Sequence, residues 1–189
     1  ISGVSFGVWF YLEGSPKSMQ MVIIISAMTG ALLGFLKYNV TPARIFMGDT
    51  GSLLLGVLLA FFAIEFLETN KDYTGQYKIA SSPVVAMSFI VLPLVDMIKV
   101  FLIRIYNRRS PFMADRNHVH HVLIDLGLSH NQATGILSVF TLCFIGLAIW
   151  TQEYINQTIF LVIVAFICIL VPNFIRRYLR RATVKSENI

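Results

Sequence analysis

Five long apolar runs decide what this chain can fold into: about Met19 to Leu36, Gly51 to Leu67, Pro83 to Tyr106, Ala133 to Trp150 and Thr158 to Phe174. About 20 apolar residues cross the hydrocarbon core of a bilayer. Inside that core each backbone N–H and C=O must find its partner within the protein, so such runs become helices. Ile1 to Leu12 is apolar as well, but it is too short to span, and Glu13-Gly14-Ser15-Pro16 breaks it. It reads as the tail of a truncated helix. The expected fold is all-α: a polytopic transmembrane helical bundle embedded in a lipid bilayer, with about five complete spans plus one truncated helix.

Composition agrees. Only 13% of the residues are charged and 56% are hydrophobic, with a mean hydropathy of +0.72, whereas a soluble domain carries roughly 25% charged residues. The net charge of +5 raises nucleic acid as a partner, but the basic residues cluster at helix ends and in loops. That is their place beside an anionic membrane face, so no nucleic-acid role is expected. Cys143 and Cys168 each lie inside an apolar run without metal spacing, and both read as buried packing residues. The chain starts at Ile1 and shows no signal-peptide pattern. It is expected to be a fragment: residues 1–189 as the C-terminal part of one integral-membrane domain.

The connectors divide by charge. Lys37 and Arg44 fall in one, Arg104, Arg108, Arg109 and Arg116 in or beside another, and Arg176, Arg177, Arg180, Arg181 and Lys185 in the basic tail 176–189. The opposite connectors carry only Lys17, Lys71 and Lys78. Short basic loops stay in the cytoplasm. The loops at about 37–50 and 107–132, with the tail, are therefore expected on the cytoplasmic face, and Glu65, Glu68 and Asp72 are expected to be solvated at the other.

Both cytoplasmic loops carry chemistry. Residues 39–52 read N-V-T-P-A-R-I-F-M-G-D-T-G-S. Gly48 and Gly51 allow close backbone approach to a ligand. Asp49, Thr50 and Ser52 sit where a helix begins, and two readings are open: they cap its free N–H groups, or Asp49 is a metal-ligand carboxylate beside a phosphate-favouring helix N-terminus. Residues 114–121 read A-D-R-N-H-V-H-H. If that stretch is helical, His118 and His121 share a face and His120 points elsewhere. Zinc would suit imidazole, but no Cys and no H-E-x-x-H pattern accompanies the cluster. The alternatives are a solvated loop or, beside Arg108, Arg109 and Arg116, an anion site for a diphosphate. Asp96 and Lys99 lie within an apolar run at i, i+3. They are either a mutual pair fixing helix packing or functional groups.

These motifs resemble a known family. The A-R-I-F-M-G-D-T-G-S stretch over 43–52 is similar to the F-M-G-D-x-G-S loop of the polyprenyl-phosphate N-acetylhexosamine-1-phosphate transferases, which include MraY, WecA and TagO. The A-D-R-N-H-V-H-H stretch over 114–121, followed by Leu123, Asp125, Gly127 and Ser129, resembles the A-D-x-x-H-x-H-H loop of the WecA/TagO branch, and Pro93 to Asp96 resembles its P-x-x-D stretch. MraY members carry P-x-H-H-H instead, and here Val119 interrupts the histidines.

The resemblance implies transfer of a sugar 1-phosphate, N-acetylglucosamine 1-phosphate for this branch, from a UDP-sugar to undecaprenyl phosphate with release of UMP. This would be the first membrane step of cell-envelope glycan synthesis, at the cytoplasmic face of the bacterial inner membrane. It implies Mg²⁺, with Mn²⁺ as the alternative, on Asp49. His118, His120 and His121 join Asp49 as catalytic candidates, and Arg116, Asp115, Gly48, Gly51, Ser52 and Arg44 become substrate-binding candidates. A homodimer is compatible with it. The family's upstream Asp-Asp pair and N-x-x-N-x-x-D-G-x-D-G-L-A stretch are absent from this sequence, so the chain alone is expected to be inactive. The competing reading is a transporter or channel fragment with a cytoplasmic His/Arg anion or metal site. A third is an assembly subunit without chemistry.

Overall fold

The structure is a computed structural model that describes residues 1–40, 43–106, 108, 110, 119–125, 127–154, 156, 159 and 162. Among these residues the regular structure is all helical: α1 (Ser2–Glu13), α2 (Pro16–Asn39), α3 (Gly48–Asp72), α4 (Ser82–Phe89), α5 (Val91–Tyr106), α6 (Val119–Asp125) and α7 (His130–Thr151). Three of them, α2, α3 and α7, are long and apolar enough to cross a membrane, and α4 with α5 make a fourth if a broken span is counted. The expected final span, 158–174, and the tail 176–189 lie outside the described residues apart from single positions. The chain is a multi-pass membrane protein.

Local chemistry sets where the helices begin and end. Gly14 closes α1 in the left-handed region at φ 81°, its N–H bonded to the Phe10 carbonyl at 3.1 Å. One residue later Ser15 caps α2, its Oγ accepting the Ser18 N–H at 3.2 Å, and Pro16 occupies the first helical position. A missing N–H costs nothing there. The single span expected from Pro83 to Tyr106 is instead two helices separated at Ile90. Pro93 explains the break. Its ring would collide with the carbonyl four residues back, that of Phe89, and it has no N–H to donate. Phe89 is the last residue of α4.

The chain divides into two compact units, one of Ile1–Ile90 with Thr141–Tyr154 and one of Val91–Phe140 with Ile155–Ile189. In the first, aromatic rings form the core. Phe6, Phe10, Phe62 and Phe66 are fully buried. The Phe6 ring meets Phe89 edge-on at 4.9 Å and Trp9 meets Phe66 at 4.6 Å, arrangements that match the ring quadrupoles. Gly3 and Gly7 let α1 lie close against α2: a Cβ at Gly3 would stand 2.6 Å from Met28 Cε, and one at Gly7 3.1 Å from Ile25 Cγ2. Small residues four apart serve this purpose in membrane helices, where association depends on close packing.

The ends of these helices away from the Asp49 loop are pinned by polar contacts. Trp9 Nε1 donates to the Tyr77 carbonyl at 3.0 Å, and the buried Asn70 exchanges two hydrogen bonds with the backbone of Ile79, each 2.8 Å. Gln152, after α7, takes the Ala80 N–H at 3.1 Å, and its carbonyl takes the Ser81 hydroxyl at 2.8 Å. Lys17 pairs with Glu65 at 2.6 Å, and Glu65 is only 19% exposed. Glu65 is thus an ion-paired contact between α2 and α3, which corrects its expected solvation, while Glu68 and Asp72 are exposed. Cys143 is also a correction. It is exposed on α7 rather than buried, a position a small apolar thiol can hold where lipid is the solvent. Cys168 lies outside the described residues.

The α1–α2 contact yields a test. Gly7→Leu places a branched side chain where Ile25 already stands, and overpacking of this kind typically costs about 1–3 kcal/mol. The detergent-solubilised variant should melt several degrees below the parent, whereas Gly34→Leu, at a site open to at least 4 Å, should melt with it.

Candidate active site

The first chemistry-bearing loop joins α2 to α3. The Arg44 N–H bonds to the Tyr38 carbonyl at 2.9 Å, and Asn39 Nδ2 donates to the Ile45 carbonyl at 2.9 Å. These two bonds fold the loop back onto the end of α2. Gly48 then starts α3 at φ 68°, in the left-handed region where a side chain is strained. Gly51 faces Met47, whose Cγ would lie 2.5 Å from a Cβ at that position.

Asp49 does not cap this helix. Met47 is the N-cap residue and no side chain makes the cap bond. Ser52 Oγ donates to the carbonyls of Gly48, at 3.2 Å, and Asp49, at 3.0 Å. Among the described residues no free N–H is bonded to it. Asp49 stands in the first turn with its side chain exposed, and among the described residues its carboxylate takes no hydrogen bond or ion pair. The free N–H groups and the positive dipole end of α3 favour anions beside it. Arg44 is exposed in the same loop. α3 has 25 residues, so at 1.5 Å per residue the Asp49 loop lies about 37 Å from the Asp72 end of the helix. Lys71 and Lys78 belong to that other end, as the charge distribution anticipates.

The second loop is described in part. α6 begins at Val119, so His120 and His121 sit on a short helix; His118, Asp115 and Arg116 lie outside the described residues, as does the His121 side chain. The helix is tied at its start: Asp96 Oδ1, on α5, accepts the Val119 N–H at 2.7 Å. It ends at Gly127, at φ 88°, with the Gly127 N–H on the Ile124 carbonyl at 2.8 Å. α7 then starts with a reciprocal cap. Ser129 Oγ accepts the Gln132 N–H at 3.3 Å, and Gln132 Oε1 accepts the Ser129 N–H at 2.9 Å. This is a capping box, and it starts α7 at His130 rather than at Ala133. The S-x-x-Q spacing in the sequence was the signal for it.

That earlier start changes the position of His130, whose ring lies 5.6 Å from the His120 ring, tilted by 34°. Asp96, whose place was open, now stands in contact with the histidine segment. Its neighbour Lys99 is buried, 3% exposed. Asp49 belongs to the first unit and the histidine segment to the second. Among the described residues no group of three or more His, Cys, Asp or Glu side chains converges.

Comparison with known proteins points the same way. The family described as Glycosyl transferase family 4 matches residues 1–67. An undecaprenyl-phosphate alpha-N-acetylglucosaminyl 1-phosphate transferase of Salmonella typhimurium is 30% identical over 205 aligned positions, covering 100% of this chain and 54% of its own length. The protein of the same name in Escherichia coli (strain K12) is 29% identical, covering 96% of this chain and 51% of its own length. A probable undecaprenyl-phosphate N-acetylglucosaminyl 1-phosphate transferase of Bacillus subtilis is 35% identical over 130 positions, 68% of this chain and 32% of its own length. The chain spans about half the length of the Salmonella and Escherichia relatives. No solved structure matches it. With its F-M-G-D-T-G-S helix start and its histidine segment, the chain belongs to the polyprenyl-phosphate N-acetylhexosamine-1-phosphate transferases of glycosyl transferase family 4.

Proposed function

We propose that this chain forms part of a membrane enzyme that transfers N-acetylglucosamine 1-phosphate from a UDP-sugar to undecaprenyl phosphate, releasing UMP. The observation that carries the reading is the Asp49 loop. It lies in a sequence similar throughout its length to enzymes of that name, and it presents an uncommitted carboxylate at a helix N-terminus.

In this reaction an oxygen of the lipid phosphate bonds to the β-phosphorus of the donor. The bond from that phosphorus to the bridging oxygen breaks, and UMP leaves with the oxygen and its electron pair. A phosphate monoester has its second pKa near 6, so the nucleophile is largely anionic at neutral pH and needs no strong base. The larger demands are positioning and charge neutralisation. Gly48, Gly51 and Ser52 would let the start of α3 approach a phosphate closely. Arg44 and Arg116 would bind phosphate oxygens, since a guanidinium matches their geometry, with Asp115 beside them. His118, His120 and His121 would meet charge developing on the transferred group.

Mg²⁺ fits Asp49. A hard cation takes oxygen ligands, and Mg²⁺ is held by one or two carboxylates together with substrate phosphates and water. A first-turn aspartate that caps nothing is free for that role, and Mn²⁺ accepts the same donors. Bound there, the ion would supply charge neutralisation for the diphosphate.

Three outcomes test this function. In the complete enzyme Asp49→Asn should lower UMP release by about 10²–10³, the usual loss for a key transition-state electrostatic contact. Its thermal stability should change by less than about 1 kcal/mol, because only a helix-dipole contribution is removed. Near-parental release would eliminate the metal role. Second, the active face is proposed to be cytoplasmic in the bacterial inner membrane, following the arginine and lysine bias. Single-cysteine variants Ser52→Cys and Asn117→Cys, made after replacing Cys143 and Cys168, should react with an impermeant maleimide only from the cytoplasmic side. Third, the 189-residue chain expressed alone should insert without releasing UMP from UDP-N-acetylglucosamine and polyprenyl phosphate, because a diphosphate and a phosphomonoester need more charge compensation than Asp49 can organise.

A further inference from the structure

We propose that Asp96 is a positioning residue for this reaction, holding the turn that carries His120 and His121 against α5; the inference rests on the transferase reading above. The bond between Asp96 Oδ1 and the Val119 N–H is 2.7 Å long and partly buried. Val119 is the first residue of α6, and the N–H groups of a first helical turn have no partner within their own helix. With only 7 residues, α6 is far below the length at which a helix is stable by itself. It needs an external tie, and a carboxylate accepting a backbone N–H is among the stronger kinds.

The surroundings suit this role. Asp96 sits on a helix whose nearby residues Lys99 and Val100 are each 3% exposed, so the stretch of α5 next to it is buried. An ionisable side chain within an apolar helix is costly unless it is satisfied, and here it meets an amide. The bond spans 23 residues of sequence. It thereby sets where the chain enters the His120–His121 turn. Within that turn the His120 ring lies beside His130 of α7, so the first turn of α6 meets both α5 and the start of α7.

A positioning role needs an acceptor at residue 96, not a charge, and Asn keeps an acceptor. The donor can be removed from the other side. Val119→Pro deletes the N–H at a first helical position, where proline is well tolerated. The complete enzyme in lipid nanodiscs would carry Asp96→Ala, Asp96→Asn, Val119→Pro and the Asp96→Ala/Val119→Pro pair. Amide exchange over 120–125 should quicken about tenfold or more in Asp96→Ala and Val119→Pro, as expected for loss of a hydrogen bond to a charged group, and stay near the parent in Asp96→Asn. The kcat for UMP release should fall about 10²-fold in the first two, the effect of a roughly ångström-scale misplacement. KM for UDP-N-acetylglucosamine should change less, and Asp96→Asn should retain most of the parental kcat. The double variant should be no worse than either single one, because both remove the same bond.

Unchanged exchange in Asp96→Ala would overturn the proposal, and so would an Asp96→Asn kcat as low as that of Asp96→Ala. Should Asp96→Ala fail to insert, Val119→Pro and Asp96→Asn decide alone. Faster exchange with parental kcat would also overturn it, and His120→Ala then separates the causes. Lost turnover in His120→Ala would confine the failure to Asp96, whereas parental turnover would remove the role of the histidines beneath it.

Discussion

A backbone in hydrocarbon has no water to bond to, and everything else in this chain follows from that. Each span must satisfy its own N–H and C=O groups, so α2, α3 and α7 are long continuous helices with much of their apolar surface exposed. The same rule moves polar chemistry to the helix ends. The first-turn N–H groups and the last carbonyls are the backbone groups a helix leaves open. Asp49 stands in such a first turn, and the Val119 N–H that meets Asp96 is another. In each unit the candidate residues gather at helix termini because that is where a membrane protein has unspent polar groups.

Helix ends therefore have to be specified sharply, and this chain does so with residue types whose effects are strong. Gly48 and Gly127 adopt backbone angles that most side chains resist, and each lies at the border of a motif-bearing segment. Ser129 and Gln132 cap α7 reciprocally and so place His130 beside His120. Pro93 ends α4 at Phe89 and restarts the chain as α5, the helix that carries Asp96. An uninterrupted span from 83 to 106 would have no such break.

The described spans were legible in the sequence because apolar run length is a direct physical signal, and the two motif-bearing loops stood out because their motifs are specific. What escaped depended on partners distant in sequence or on one local clash. The break at Ile90 follows from Pro93 and its fourth preceding carbonyl, but hydropathy alone runs straight through it. Asp96 and Lys99 stand at i, i+3, a spacing that gives no hint of a more distant partner. The amide that Asp96 meets is 23 residues away, beyond the reach of any periodicity. Asp49 was open to reading as a cap or as a ligand, and only the geometry of the helix start, with Met47 as N-cap and no side-chain cap bond, shows that it caps nothing. Glu65 looked solvated because its partner, Lys17, stands on another helix.

UMP release coupled to lipid glycosylation bears most directly on the assignment. The complete enzyme in undecaprenyl-phosphate vesicles would be given UDP-N-acetylglucosamine and Mg²⁺, with UMP and the lipid product quantified together. The transferase assignment predicts one UMP for each undecaprenyl-diphosphate N-acetylglucosamine, with none when the lipid phosphate or the metal is withheld. UMP formed without the lipid acceptor, or no UMP at all from correctly inserted protein, would contradict it.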